Sequence, residues 1–277
     1  MIVTEDLSKA YHKIVALDGL NLHVGRGEVF GLLGPNGAGK TTTIKILTTL
    51  SRPSRGRASI NNFDVVKQPL EVKRLTGVCP QDINLDKELT ARENLWIYGR
   101  LYRVGDLKDR IKELLDFGGL TERADHLIKG FSGGMQRRLL ILRSLISRPR
   151  VLFLDEPTVG LDPQVRRQLW GLIQQLKAEG ITIVLTTHYI EEAEMLCDRV
   201  GIMNHGRLIS LDTPAALVAG LGGYVVESSH GGKREYRLVH DKVEAYSCAP
   251  GGNCEVTIRQ VNLEDVFIQL TGERLQS

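Results

Sequence analysis

The chain has 277 residues, 25% of them charged, and a formal net charge of +3. That length suits one large core or a core with a small appendage, and so mild a charge gives no argument for a nucleic-acid or anionic-membrane surface. The longest apolar runs, such as residues 181–185, fall far short of the roughly 20 residues that a membrane-spanning helix needs.

Short alternating runs at 14–17 and 20–24 read as antiparallel strands. Residues 28–33 read as a buried strand, and 40–47 as a helix. Between them lies Gly34-Pro35-Asn36-Gly37-Ala38-Gly39-Lys40-Thr41, followed by Thr42. Glycines there let backbone N–H groups turn toward phosphate oxygens, and the helix N-terminus adds positive partial charge. In such loops the lysine, here Lys40, reaches the β- and γ-phosphates, and the following hydroxyl, Thr41, sits on Mg²⁺. Nucleotide binding is therefore expected.

Residues 57–60 and 75–78 look like further strands. From about Thr90 to Lys129 the period turns helical, with Leu95, Tyr98 and Tyr102 on one face and Ile111, Leu114 and Leu115 on another. Phe131-Ser-Gly-Gly-Met135 then enters a helix that ends before Pro149. Ser132 is a good N-cap. Two glycines and no acid in the first turn also make an anion site, while Arg137 and Arg138 read as solvated. A buried strand at 151–154 leads directly into Asp155 and Glu156. A carboxylate at that strand end can sit beside the Mg²⁺ that Thr41 holds, and Glu156 can orient the attacking water or accept its proton. Asp162 caps a helix with Pro163 at its first position and Gly180 at its end. Residues 181–186 form one more buried strand. Strands alternating with helices predict an α/β fold with a mostly parallel sheet covered on both faces.

Past Pro214 glycines cluster at 220–223, 231–232 and 251–252, with short alternating runs between, and Asn262 caps a last helix through Leu270. Residues 217–277 read as a small β-rich appendage. No basic-then-apolar start marks a secretory leader. The four cysteines, Cys79, Cys197, Cys248 and Cys254, lack C-x-x-C spacing, so a reduced cytosolic setting is expected. Cys248 and Cys254 flank a Gly-Gly turn and can bridge on oxidation.

The ordered set of residues 34–42, Gln81, Phe131–Met135, Asp155, Glu156, Asp162 and His188 resembles the ATPase subunit of an ATP-binding-cassette (ABC) transporter. The likeness covers roughly residues 1–215. It implies a phosphate-loop ATPase fold, with an antiparallel N-terminal part and a helical subdomain inserted at about 83–148. It also implies ATP and Mg²⁺ as ligands and two cassettes paired head to tail, the simpler pair being a homodimer. Ser132, Gly133 and Gly134 of one chain would then contact the γ-phosphate held by the other. By the same resemblance Tyr11 stacks on adenine, Gln81 approaches the Mg²⁺ and the attacking water, Asp162 crosses the dimer interface, and His188 contacts the γ-phosphate.

Phe131 and Met135 depart from the commoner leucine and glutamine. They look like the drug- and antibiotic-resistance exporters, as does the tail at 262–267. Transport would then fall to a separate polytopic membrane partner, with this chain peripheral on the cytoplasmic side. Its docking surface would lie in the 90–130 region, Trp96 and Arg103 being better placed than the Leu95 face. A soluble cassette acting on ribosomes or DNA is the alternative. One signature element and no long heptad run oppose it, and intact Glu156 and His188 oppose a regulatory cassette without turnover.

Overall fold

A computed structural model describes residues 1–230, 233–247 and 255–272. The N-terminal part contains β1 (Ile2–Tyr11), β2 (Ile14–Val24), β3 (Val29–Leu33), α1 (Lys40–Leu47), β4 (Arg55–Ile60) and β5 (Phe63–Asp64). Next come α2 (Pro69–Leu75), β6 (Thr76–Cys79), α3 (Ala91–Leu101), α4 (Leu107–Phe117), α5 (Gly133–Ser144) and β7 (Val151–Asp155). The chain continues with α6 (Pro163–Ala178), β8 (Thr182–Thr187), α7 (Ile190–Leu196), β9 (Arg199–Asn204), β10 (Arg207–Asp212) and α8 (Pro214–Ala219). It finishes with β11 (Tyr224–His230), β12 (Lys233–Val239), α9 (Lys242–Ser247), β13 (Glu255–Gln260) and α10 (Leu263–Thr271).

The central sheet runs β10-β9-β3-β8-β7-β6, parallel throughout except for β10 at its edge. Its inner strands are buried almost throughout and carry apolar runs because both faces are covered, the polar residues Asp155, Thr186, Thr187 and Asn204 coming at the strand ends. Side chains alternate between those faces. Val29, Leu33, Leu152, Leu154, Ile183 and Leu185 join the core under the helices. Phe30, Leu32, Val151, Phe153 and Val184 join the core shared with α1 and the antiparallel sheet β2-β1-β4-β5. The expected mostly parallel sheet, covered on both sides, is what forms.

Two sequence readings need correction. Leu75 closes α2 rather than opening a strand, since Pro69 at the first turn favours a helix through 69–75; the strand starts at Thr76. On α3 the expected single buried face is incomplete. Leu95 is buried, but Tyr102 is the C-cap and stands 49% exposed, because the helix ends one residue before it.

Beyond α8, strands β12-β11-β13 form a separate sheet with a small core of Val226, Val239 and Ala245. Helix α10 starts at the expected Asn262 cap, a full capping box with Asp265. Its Leu263, Val266 and Phe267 pack into the core beneath the main sheet's helices, along with Leu217. Each such burial stabilises by about 1.5–3 kcal/mol, so the last helix is anchored in the first core and not merely appended. Cys248, Cys254 and the glycines at 231–232 and 251–252 lie outside the described residues.

Candidate functional site

The phosphate-type loop leaves β3 at the centre of the sheet and enters α1. Gly34 N–H donates to Thr187 O at 3.3 Å, which ties the loop to the end of the neighbouring β8. Gly39 is left-handed (φ 102°), and a Cβ there would meet Ala16 O at 2.6 Å. Glycine is thus required by both conformation and space. The first turn of α1 carries no acid, leaving its N–H groups and dipole available to an anion. Lys40 is only 4% exposed; its Nζ donates to Gly34 O (2.7 Å) and Pro35 O (3.1 Å). Burial lowers its pKa, with Glu156 and Asp155 opposing that shift.

Asp155 ends β7, and its register partner on β8 is Thr186. Thr186 Oγ1 donates to Asp155 Oδ1 at 2.6 Å, and Thr41 Oγ1 donates to the same oxygen at 3.1 Å. One carboxylate oxygen so joins the loop helix to two strand ends. Thr41 and Asp155 form a pair of hard oxygen donors, which fits a divalent cation that takes its remaining ligands from phosphate and water.

Glu156 is the hub. Its backbone is left-handed (φ 47°), a conformation that costs a non-glycine residue about 1–3 kcal/mol. The strain is held because its N–H donates to both Thr186 O (3.2 Å) and Thr186 Oγ1 (3.0 Å). The result aims the carboxylate at three side chains from three other segments. Lys40 Nζ lies 3.4 Å from Oε1. Gln81 Nε2 donates to Oε2 at 3.3 Å, and His188 Nδ1 lies 3.4 Å from the same oxygen.

Gln81 owes its place to an arginine that sequence reasoning left in solvent. Arg137, one turn into α5, is buried and donates to Pro80 O (2.8 Å) and Gln81 O (2.6 Å). Arg143, on the next turns, donates to Asn84 O at 2.9 Å and to its side-chain oxygen, with its guanidinium over the Tyr98 ring. Arg138, half-buried, donates to Gly118 O and to Gln168. None of the three is simply solvated. Thr186 and Arg137 are therefore functional-site residues beyond the sequence motifs. For Thr186 a signal existed, a hydroxyl at the end of an apolar strand; for Arg137 there was none.

The remaining residues stand apart from this hub. Ser132 caps α5, its Oγ accepting from Met135 N–H at 3.3 Å. Ser132 and Gly133 are exposed, while Gly134 is buried because any side chain there would collide with Val165 of α6. Asp162 caps α6, accepting from Gln164 and Val165 N–H. Tyr11 ends β1, 40% exposed, with Lys9 Nζ 4.8 Å from its ring centre. No hydrogen bond or ion pair described for Tyr11, Ser132 or Asp162 joins it to Lys40, Gln81, Glu156 or His188.

Among the described residues, no helix is long and apolar enough to cross a membrane. Residues 17–159 match the family model described as ABC transporter. The chain is 40% identical over 307 residues to the daunorubicin resistance ATP-binding protein DrrA2 of Streptomyces coeruleorubidus, covering 99% of this chain and 95% of that one. It is 37% identical to the Nod factor export ATP-binding protein I of Paraburkholderia xenovorans, covering 98% and 97%. A solved dimeric ATP-binding cassette in a post-hydrolysis state, bound to ADP and Pi, superposes with a TM-score of 0.71 at 28% identity, covering 77% of this chain and 98% of that one.

Proposed function

The chain belongs to the ABC transporter family and is an ATPase of it, and from that premise we propose that it powers an export-type transporter through a separate membrane-spanning partner. The observation that carries the site assignment is the convergence of Lys40, Gln81 and His188 on the carboxylate of Glu156. Export is supported by the Nod factor export relative and by the full-length match to a resistance protein.

In this reading the Gly34–Thr42 loop cradles the phosphates of ATP and Tyr11 stacks on adenine. Thr41 and Asp155, with Gln81 nearby, would hold Mg²⁺, whose charge neutralises phosphate oxygens. Lys40 is shared between Glu156 and the incoming phosphate, so substrate draws the ammonium away from the carboxylate. Glu156 is then free to accept the proton of the attacking water. His188 and Gln81 hold that carboxylate and the water in line.

Ser132 and Gly133 face solvent at an acid-free helix start, with Gly134 packed behind them on Val165, and the three complete the site of a second copy, with Asp162 at the same interface. The dimeric cassette structure supports such a pair. Trp96 and Ile97 of α3, both more than a third exposed, and Arg103 just beyond it form the docking face for the membrane partner. Residues 1–216 act as the ATPase unit and 217–277 as an accessory one, and the protein works peripherally on the cytoplasmic face of the membrane.

The test uses Glu156→Gln. It keeps ATP binding, lowers kcat by about 10²–10⁴-fold, and elutes as a dimer with ATP. Purified from gently solubilised cells, it brings down a stoichiometric polytopic membrane protein. Normal turnover in that variant removes Glu156 from its role, and soluble or ribosomal partners alone remove the transport assignment.

A further inference from the structure

Glu192 is a fully buried acid that the motifs above do not use. It occupies the third position of α7, where a glutamate ordinarily reaches back to the backbone N–H of its own helix cap. Here the cap residue, Tyr189, has its N–H taken by Thr187 Oγ1 at 2.9 Å, and α7 has no side-chain cap bond. The Glu192 carboxylate turns inward instead. Its Oε1 accepts from Thr158 Oγ1 at 2.9 Å and from Trp170 Nε1 at 3.3 Å, both from buried residues.

These partners belong to segments that carry site residues. Thr158 follows Glu156-Pro157 and is the fully buried anchor of the turn that leads through Gly160 to Asp162. Trp170 lies on α6, the helix that Asp162 caps. Glu192 itself lies one turn beyond His188. A second strut runs alongside: Arg166 of α6 sits over the Tyr189 ring at 4.2 Å, and that ring is 4.3 Å from the imidazole of His188. A buried acid is expensive unless its bonds are worth the cost, and a hydroxyl and an indole N–H from two elements are the partners chosen here.

We propose that Glu192 is a positioning residue that locks the Thr158–Asp162 turn, α6 and the strand end bearing His188 into one block. Asp162, which faces a second copy, and His188, which faces the chain's own Glu156, then move together. Arrival of the second copy at one is felt at the other. This inference rests on the roles proposed above for Asp162 and His188 and deepens them.

The test compares the wild-type chain with Glu192→Leu, Glu192→Gln and Thr158→Val in steady-state ATP hydrolysis and in hydrogen–deuterium exchange. Leucine at 192 and valine at 158 each remove one side of the same bond. Each is expected to lower kcat about tenfold or more, as displaced catalytic groups do, with KM for ATP within about twofold. The double variant is expected to be no slower than the worse single one. Glutamine keeps an oxygen for both donors and retains most of the turnover. Exchange at 157–162 and 187–190 rises together in the leucine and valine variants.

Losses confined to KM, a glutamine variant as slow as leucine, or additive losses in the double variant overturn the proposal. So does faster exchange in one segment without the other. Because exchange needs no turnover, it decides the coupling even if the assignment of His188 to chemistry fails. Thr158→Val, close in volume to the native residue, carries the test should leucine at 192 unfold the chain.

Discussion

The Lys40 ammonium lies 3.4 Å from Glu156 Oε1, with both side chains at most 5% exposed. The lysine of the phosphate loop and the acid at the end of β7 thus neutralise each other in a buried setting. Either alone would be an uncompensated interior charge.

Lys40→Ala is accordingly expected to do two separable things. It abolishes ATP binding in a direct titration, and it lowers stability by about 3 kcal/mol by stranding the Glu156 carboxylate. Adding Glu156→Gln restores the melting temperature without restoring binding. A double variant that melts as low as Lys40→Ala rules out the pairing as the source of the loss.

Arg137→Met keeps the length of the side chain and removes both donors to the Gln81 loop. The part-buried carbonyls of Pro80 and Gln81 lose these bonds, each worth about 0.5–1.5 kcal/mol. Turnover falls while ATP affinity holds, because Gln81 loses its seat opposite Glu156 and the phosphate loop is untouched. Calorimetric titration beside steady-state kinetics reads both, and an unchanged kcat removes Arg137 from the site.

Burial pushes the Cys79 thiol up to about 11 and the Cys197 thiol well above its ordinary value. At pH 8 Cys79 is then only about one part in a thousand thiolate. Iodoacetamide should leave both cysteines unmodified in the folded chain and label them after denaturation, as read by peptide mass spectrometry. Rapid labelling of Cys79 under native conditions contradicts its buried position at the end of β6.

Burial also raises the pKa of Glu192 above its ordinary 4.5, against smaller opposing effects from hydrogen bonds and Arg166; Cys197 is the other titratable neighbour. The unfolded chain then releases this proton first. The stability it contributes is complete below 4.5 and is lost as pH rises through the folded value. Glutamine at 192 does not titrate, so the melting temperature of Glu192→Gln is expected to gain on the wild type between pH 5 and pH 8. A difference that stays constant or shrinks refutes the raised pKa.

Local chemistry was legible from the chain alone. The glycine pattern at 34–39, the apolar strand before it and the acids closing 151–156 act through contiguous backbone, so their spacing carries their meaning. The parallel sheet was legible for a similar reason, since strands covered on both faces carry near-continuous apolar runs. Gln81 and His188 drew their roles from resemblance, one side chain in a loop having no signature of its own. Their meeting at Glu156 is a product of tertiary structure, as are the Thr186 bonds that hold Glu156 in its strained backbone. Arg137 and Glu192 lie furthest from sequence reading. A charged residue on a helix faces water by default, and only partners 56 residues away for Arg137 and 34 for Glu192 made burial affordable.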